Sequence, residues 1–122
     1  MSRDNFLNPD KKHTASHRRA PKQEKELSKR LKGHLVPGSG SGPQKGDVRV
    51  RGVVRVEAKT TKNKSFSVTR KMIDTITDAG IGHGELPAMV IEFLDGDGHP
   101  ETEVAVIPMW ALEMLINRVR DG

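Results

Sequence analysis

A run of 14 residues, GDVRVRGVVRVEAK, limits the fold of this chain more than any other segment. Valine alternates with charged residues on both sides of an Arg-Gly dipeptide. Alternation with a period of two is typical of strands that have one apolar and one polar face. We therefore predict two paired strands, 47–50 and 52–59, with Val54, Val56 and Ala58 facing the core.

The same run contains two acids and a lysine at a spacing that can bring them together. Successive side chains of a strand point to opposite faces, so Glu57 and Lys59 share the polar face. If Asp47 lies on the preceding strand, its carboxylate and that of Glu57 can converge on one divalent cation. Such a site suits phosphodiester hydrolysis, with the Lys59 ammonium steadying the attacking water or the developing charge. The D-x9-E-x-K spacing also arises by chance in charged proteins, so the surrounding sequence has to decide.

The charge of the chain is strongly polarised. Residues 1–71 hold 19 Lys and Arg against 6 Asp and Glu, whereas residues 72–122 hold 2 against 10. A basic face of this kind favours a polyanion, and we interpret it as a nucleic-acid surface. With three Phe, one Trp and no Tyr, the sequence argues against a single-strand binder built on base stacking.

Composition excludes several other classes. A length of 122 residues predicts one domain, and a mean hydropathy of -0.61 predicts that part of the chain stays outside its core. No segment approaches the roughly 20 apolar residues of a membrane span, and no signal-peptide core is visible near the start, so we expect an intracellular protein. With no cysteine there is neither a disulfide nor a thiolate ligand.

Two segments precede the strands. Residues 1–21 are basic and aperiodic, which predicts a flexible arm that either contacts phosphates or only aids solubility. Residues 22–122 are predicted to form the domain, beginning with a helix over 22–35 that carries Glu24. The Gly/Pro-rich stretch 36–46 then either links the elements or brings backbone amides and the Ser39 and Ser41 hydroxyls to a phosphate.

The second half predicts a helix from 70 to about 79, a buried strand over 86–94, a partner strand over 103–108 and a helix over 110–120. Thr69 is the expected N-cap of the first of these helices. The last helix is predicted to face inward through Leu112, Leu115, Ile116 and Val119. His83, Asp95 and Asp97 are interpreted as loop and hairpin residues.

This order of elements resembles the core of the PD-(D/E)XK nuclease superfamily, and within it the archaeal-type and phage Holliday junction resolvases. The resemblance covers about residues 22–110. It implies an α/β (α+β) fold with a restriction-endonuclease-like core, in which helices flank a mixed β-sheet.

The resemblance also implies roles for individual residues. Asp47 matches the D of the motif, and Glu57 and Lys59 match its E-x-K. Glu24 matches the first-helix acid, with Glu26 as the fallback, and Ser39 and Ser41 resemble the loop that approaches the scissile strand. Two positions depart from the family pattern. Gly46 stands in place of the usual proline, and Arg70 or Lys71 stands where resolvases often carry a glutamine.

The implied function is a Mg²⁺-dependent, structure-selective DNA endonuclease, most concretely a Holliday junction resolvase. It would act as a homodimer on branched or duplex DNA in a bacterial, phage-infected or archaeal cell, with Mn²⁺ able to substitute and no nucleotide cofactor. Metal ligands would be Asp47, Glu57, the Ala58 backbone carbonyl and Glu24. Other small nucleases of the superfamily (nicking, restriction-like or exonucleolytic) and a non-catalytic DNA-binding module remain open. The basic residues expected to contact DNA are Lys11, Lys12, Arg18, Arg19, Lys45, Arg55, Lys62, Lys64, Arg70 and Lys71.

Overall fold

The structure, a computed structural model, describes residues 15–37 and 47–122. The predictions made for Lys11, Lys12, Ser39, Ser41 and Lys45 therefore fall outside the described residues. Within the described ranges no helix has both the length and the apolar character needed to cross a membrane.

These ranges form three helices and five strands. In chain order they are α1 (Ala15–Arg30), β1 (His34–Leu35), β2 (Val48–Val50), β3 (Val54–Thr61), α2 (Arg70–Ile81), β4 (Leu86–Leu94), β5 (Pro100–Val106) and α3 (Met109–Asp121). The strands make one sheet in the order β1-β2-β3-β4-β5. Only β3 and β4 are parallel, and α2 is the crossover that such a pair requires. The predicted mixed sheet flanked by helices is confirmed.

The valine-rich hairpin forms as the alternation predicts. Val48 pairs with Val56 and Val50 pairs with Val54, and Gly52 occupies the connecting turn with a positive φ of 74°. Glycine reaches this left-handed conformation without a Cβ clash, which permits the tight reversal. The hairpin thereby sets Asp47 at the outer end of β2 opposite the E-x-K segment of β3.

The first helix differs from its prediction at both ends. It begins at Ala15 and contains Pro21, so residues 15–21 belong to a helix and not to the predicted arm. Proline lacks a backbone N–H and usually marks a helix boundary, which is why the sequence placed the start beyond it. The Arg19 guanidinium binds the Glu92 carboxylate of β4 at 2.8 Å and anchors the segment before the proline.

The helix ends at Arg30 instead of residue 35 because the chain reverses at Lys32, whose φ is 57°. Gly33 follows, and its N–H donates to the Ser28 carbonyl at 2.7 Å. A Cβ at position 33 would lie 2.5 Å from the Arg49 carbonyl oxygen. Glycine therefore allows the chain to pass close to β2 and return as β1.

The core lies between the sheet and the two helices that cover its faces. Leu27 of α1 packs on one face with a buried cluster formed by Val48, Val56, Ala58, Ala88 and Val90. Burial of a side chain like Leu27 contributes about 1.5–3 kcal/mol. On the other face α2 covers β3 and β4 and buries Ile76. Strand β4 is buried on both faces, as predicted.

The prediction for the last helix is wrong in its buried face. Ala111 is the buried residue of α3, whereas Leu112 is 38% exposed and Val119 is 80% exposed. Apolar residues occur all round this helix, so its periodicity does not single out one inner side. Leu112, Ile116 and Val119, which were predicted to face inward, are therefore exposed, and only Leu115 of that set is half-buried in the structure.

Candidate active site

The site lies beside β3, next to the first residue of β2. The Asp47 backbone N–H donates to the Val56 carbonyl at 2.7 Å, and its Oδ2 accepts from the Ala58 N–H at 2.8 Å. The side chain of Asp47 thus continues the pairing that the strand itself no longer provides. Because the N–H and C=O of a strand residue point to the same side, the Ala58 carbonyl lies on this edge too.

Glu57 and Lys59 share a face of β3, as the alternation predicts. The Lys59 Nζ lies 3.0 Å from Glu57 Oε2. The Glu57 side chain is 10% exposed and that of Lys59 is 38% exposed. The largely buried Glu57 carboxylate is therefore paired with the ammonium of Lys59, a residue that is partly exposed to solvent.

Helix α1 brings Glu24 to the same place. Burial raises the pKa of Glu24, and repulsion from Asp47 and Glu57 raises it further, partly offset by Lys59. Glu26, the fallback acid, lies elsewhere, because it is exposed and its carboxylate is bound by Arg19, which lowers its pKa. Of the two candidates in α1, only Glu24 belongs to the site.

The site carries more negative than positive charge. Burial raises the pKa of Asp47, as does repulsion from Glu57, while the Ala58 N–H and Lys59 act in the opposite direction. Repulsion from neighbouring carboxylates thus contributes to the raised pKa of both Glu24 and Asp47, because like charges disfavour the ionised form. Carboxylate and carbonyl oxygens are the donors that Mg²⁺ prefers. The donor types at the site therefore suit a divalent cation, but in the described ranges the three-ligand group whose atoms lie within 4.8 Å of one another is Asp95, Asp97 and His99.

A cleft of about 340 Å³ opens on the face of β3 that carries Glu57 and Lys59. Glu57 and Lys59 line it from β3, and Lys71 lines it from the first turn of α2, together with Thr69, Met72 and Thr75. Thr69 caps that helix as predicted, since its Oγ1 accepts from the Met72 N–H at 3.2 Å. Arg70 is absent from the cleft lining and its side chain is 94% exposed. Of the two basic residues offered for this position, Lys71 is the one beside the site.

Two of the predicted DNA contacts are held in ion pairs. Arg55 donates to Glu85 at 2.8 Å and its side chain is 5% exposed, which argues against the predicted phosphate contact. Arg19 binds Glu92 and Glu26, so its charge is already balanced by two carboxylates. The alternation placed Arg55 on the polar face, but a buried acid opposite it was not visible in the sequence.

Residues with exposed side chains account for the other described members of the predicted DNA surface. They are Arg18, Lys62, Lys64, Arg70 and Lys71. Lys62 and Lys64 follow β3 directly, and Lys71 lies in the adjoining cleft. Of these five, Lys71 is therefore placed beside Glu57 and Lys59 by the structure.

Sequence reasoning missed Gln23, the neighbour of Glu24. It is fully buried, and its Nε2 donates to the Lys59 carbonyl at 2.8 Å. The available signal was its spacing of four residues from Leu27, which places both side chains on one face of the helix.

A separate acidic cluster lies in the β4–β5 hairpin. Asp95, Asp97 and His99 each offer a ligand atom, and these atoms lie within 4.8 Å of one another. Asp95 Oδ1 accepts from the N–H groups of Asp97 and His99, both at 2.9 Å. These bonds are those of a tight turn, in agreement with the interpretation of Asp95 and Asp97 as hairpin residues.

The side chains of the candidate site come from three elements of the fold. Glu24 comes from α1, Asp47 from the start of β2, and Glu57 and Lys59 from β3. Comparison of the chain with protein-family models, with curated proteins and with solved structures returns no match. The chemistry available to the chain is therefore inferred from these side chains themselves.

Proposed function

We propose that this protein is a Mg²⁺-dependent, structure-selective DNA endonuclease, most concretely a Holliday junction resolvase of the PD-(D/E)XK type. The observation that carries the proposal is the meeting of Glu24, Asp47, Glu57 and Lys59 at one edge of β3. Two contacts support it: the Asp47 carboxylate accepts from the Ala58 N–H at 2.8 Å, and Lys59 lies 3.0 Å from Glu57. The pKa of Glu24 is raised in part by repulsion from Asp47 and Glu57. The sequence resemblance adds the expectation that the anionic ligand is DNA.

The roles of the residues follow from their positions. Asp47, Glu57 and the Ala58 carbonyl would hold the cation, and Glu24 would hold a second one or position its water. When bound, Mg²⁺ would polarise the phosphate and lower the pKa of a coordinated water. Lys59 would orient the attacking water or stabilise charge on the phosphate. As the resemblance implies, the products would be a 5′-phosphate and a 3′-hydroxyl.

The basic residues near the site would position the DNA backbone. Lys71 faces Glu57 and Lys59 across the cleft, so it would bind a phosphate next to the scissile one. Lys62 and Lys64 are exposed just beyond β3 and would extend this contact. Contacts of this type add affinity without sequence selectivity, as expected for an enzyme that recognises shape.

Two symmetric incisions require two sites, and we propose a two-fold homodimer joined through α3. Met109, Leu112, Ile116 and Val119 recur at the spacing of a helix-packing seam, and all four are exposed. Arg120 and Glu113 flank this stripe. Because the helix carries both signs of charge beside its apolar stripe, a second copy running antiparallel can pair opposite charges across the seam.

The deciding experiment incubates the protein and Mg²⁺ with a labelled four-way junction, beside a linear duplex of identical sequence. Paired symmetric nicks in the junction alone are the expected result. Equal cutting of the duplex would instead identify a general nuclease, and tight binding without cutting in Mg²⁺ or Mn²⁺ would identify a binding module. Glu57→Gln should be inactive, whereas Glu101→Gln, the same change on exposed β5, should cut normally.

A further inference from the structure

Gln23 joins α1 to the strand that carries the E-x-K segment. Its side chain is 1% exposed. The Nε2 donates to the Lys59 carbonyl at 2.8 Å and lies 3.5 Å from the Val90 carbonyl. One amide therefore spans the β3–β4 pair from the helix that covers it.

This amide is a costly way to fill the position. Its Oε1 is buried and has no hydrogen-bond partner among the residues that the structure describes. An acceptor left unsatisfied in the interior carries a desolvation penalty, and methionine would fill a similar volume without polar atoms. Packing alone does not account for a glutamine here, so the donor contact to Lys59 needs another explanation.

The explanation lies in the two residues that the contact connects. Gln23 immediately precedes Glu24 in α1. The residue to which it donates, Lys59, contacts Glu57 through its own side chain at 3.0 Å. Mutual repulsion among Glu24, Asp47 and Glu57 tends to push α1 away from the sheet. A hydrogen bond between Gln23 and the Lys59 backbone opposes that separation.

We propose that Gln23 is a positioning residue: its amide holds α1 against the sheet, so that Glu24 and Lys59 address the same reacting group. The role rests on the proposed nuclease function. Gln23 touches neither DNA nor a cation in this scheme and acts only through Glu24 and Lys59. Its loss should therefore affect the chemical step and cation binding more than the affinity for DNA.

The test compares Gln23→Met with Leu27→Met, a change of similar size at a buried position one turn later on α1. Single-turnover cleavage at saturating Mg²⁺ should fall about 10–100-fold in Gln23→Met, the range for partners that orient metal ligands. Junction affinity in Ca²⁺ should stay within about twofold, and the melting temperature should not fall below that of Leu27→Met. Leu27→Met should cleave within about twofold of wild type.

Three results would overturn the role. These are wild-type cleavage by Gln23→Met, a rate loss matched by Leu27→Met, or a rate loss that merely follows a loss of thermal stability. If the wild-type protein cuts no DNA, the nuclease proposal fails and Mn²⁺ binding, followed by electron paramagnetic resonance, decides the role of Gln23 separately. Weaker Mn²⁺ binding by Gln23→Met than by Leu27→Met would then support positioning. Equal binding, or none by the wild type, would refute it.

Discussion

The Asp47 carboxylate accepts a 2.8 Å hydrogen bond from the backbone N–H of Ala58, the residue between Glu57 and Lys59. A hydrogen bond from the main chain of the E-x-K segment thereby fixes the position of the Asp47 side chain. Its other oxygen remains available for a ligand, since one carboxylate can accept several bonds. Because the Asp47 side chain is already held in place, a ligand can bind without having to immobilise it.

Asp47→Asn should stabilise the cation-free protein at neutral pH and should reduce the cleavage rate by about 100-fold or more. Burial and repulsion from Glu57 raise the pKa of Asp47. A raised carboxyl pKa contributes stability below the unfolded pKa of about 3.9, and that contribution is lost as pH rises through the folded value. The variant should therefore be more stable than wild type near neutrality, and the difference should vanish in acid. Urea unfolding at several pH values measures it.

Asp78→Asn is the control, because Asp78 is exposed on α2 and is not among the residues that line the cleft. Added Mg²⁺ should stabilise the wild type by about 1.4 kcal/mol at ten times its dissociation constant, and should leave Asp47→Asn unchanged. A cation effect of equal size in both proteins would remove Asp47 from the ligand set.

Lys59→Ala should reduce cleavage by about 100–1,000-fold, because it removes the donor placed beside Glu57. Junction affinity, measured by gel shift in Ca²⁺, should change less than about threefold, since the other basic residues still contact the backbone. Lys29→Ala removes the same charge from an exposed site on α1 and should cut normally. A Lys59→Ala protein that retains activity would disprove the assigned role.

Glu85→Gln should destabilise the fold by about 3–5 kcal/mol, because it removes the buried carboxylate charge to which the buried Arg55 guanidinium donates. Although burial raises the pKa of Glu85, bonds from Arg49, the Gly52 N–H and Arg55 outweigh it and hold that pKa below its usual value. Its stabilising contribution should accordingly be lost as pH falls. Chemical denaturation near neutral pH gives the free energy of unfolding.

Glu103→Gln supplies the comparison for Glu85. It breaks the more exposed pair with Arg30, whose atoms lie 2.8 Å apart. Surface pairs contribute about 0–1 kcal/mol, so this change should have little effect. Similar losses in both variants would show that the burial of Arg55 is not what makes Glu85 important.

Ile116→Glu should convert a dimer to monomers, because two like charges would face each other across the α3 seam. Light scattering after size-exclusion chromatography measures the mass directly. Asn117→Glu adds the same charge at the next position of α3 and should leave the dimer intact. Wild-type protein that stays monomeric at high concentration would contradict the α3 interface.

The sequence within a segment predicted an element where an apolar run or a capping residue marks its bounds. The β4 strand occupies Leu86–Leu94 as expected, and Thr69 caps α2. The start of α1 was missed because its first turns depend on Arg19 reaching Glu92, 73 residues away. Nothing in the residues around Pro21 reports that contact.

The site divides in the same way. Glu57, Lys59 and Asp47 were found from one run because a strand converts spacing into a shared face. Glu24 required the family resemblance, since its place depends on how α1 docks on the sheet. Gln23 required the structure, because its Lys59 contact joins a helix and a strand 36 residues apart.

Strand β2 begins only at Val48, so its pairing with β3 stops at Val56, and this has a consequence for solubility. In the described ranges no strand pairs with β3 beyond Val56 on this side, and an unpaired strand edge invites edge-to-edge aggregation. Asp47 occupies the Ala58 N–H, and the Glu57 and Lys59 charges would have to be buried by an incoming strand. Asp47, Glu57 and Lys59, which are proposed for catalysis, should thus also oppose the pairing of β3 with a second copy of the chain. Replacing them with apolar residues should promote precipitation.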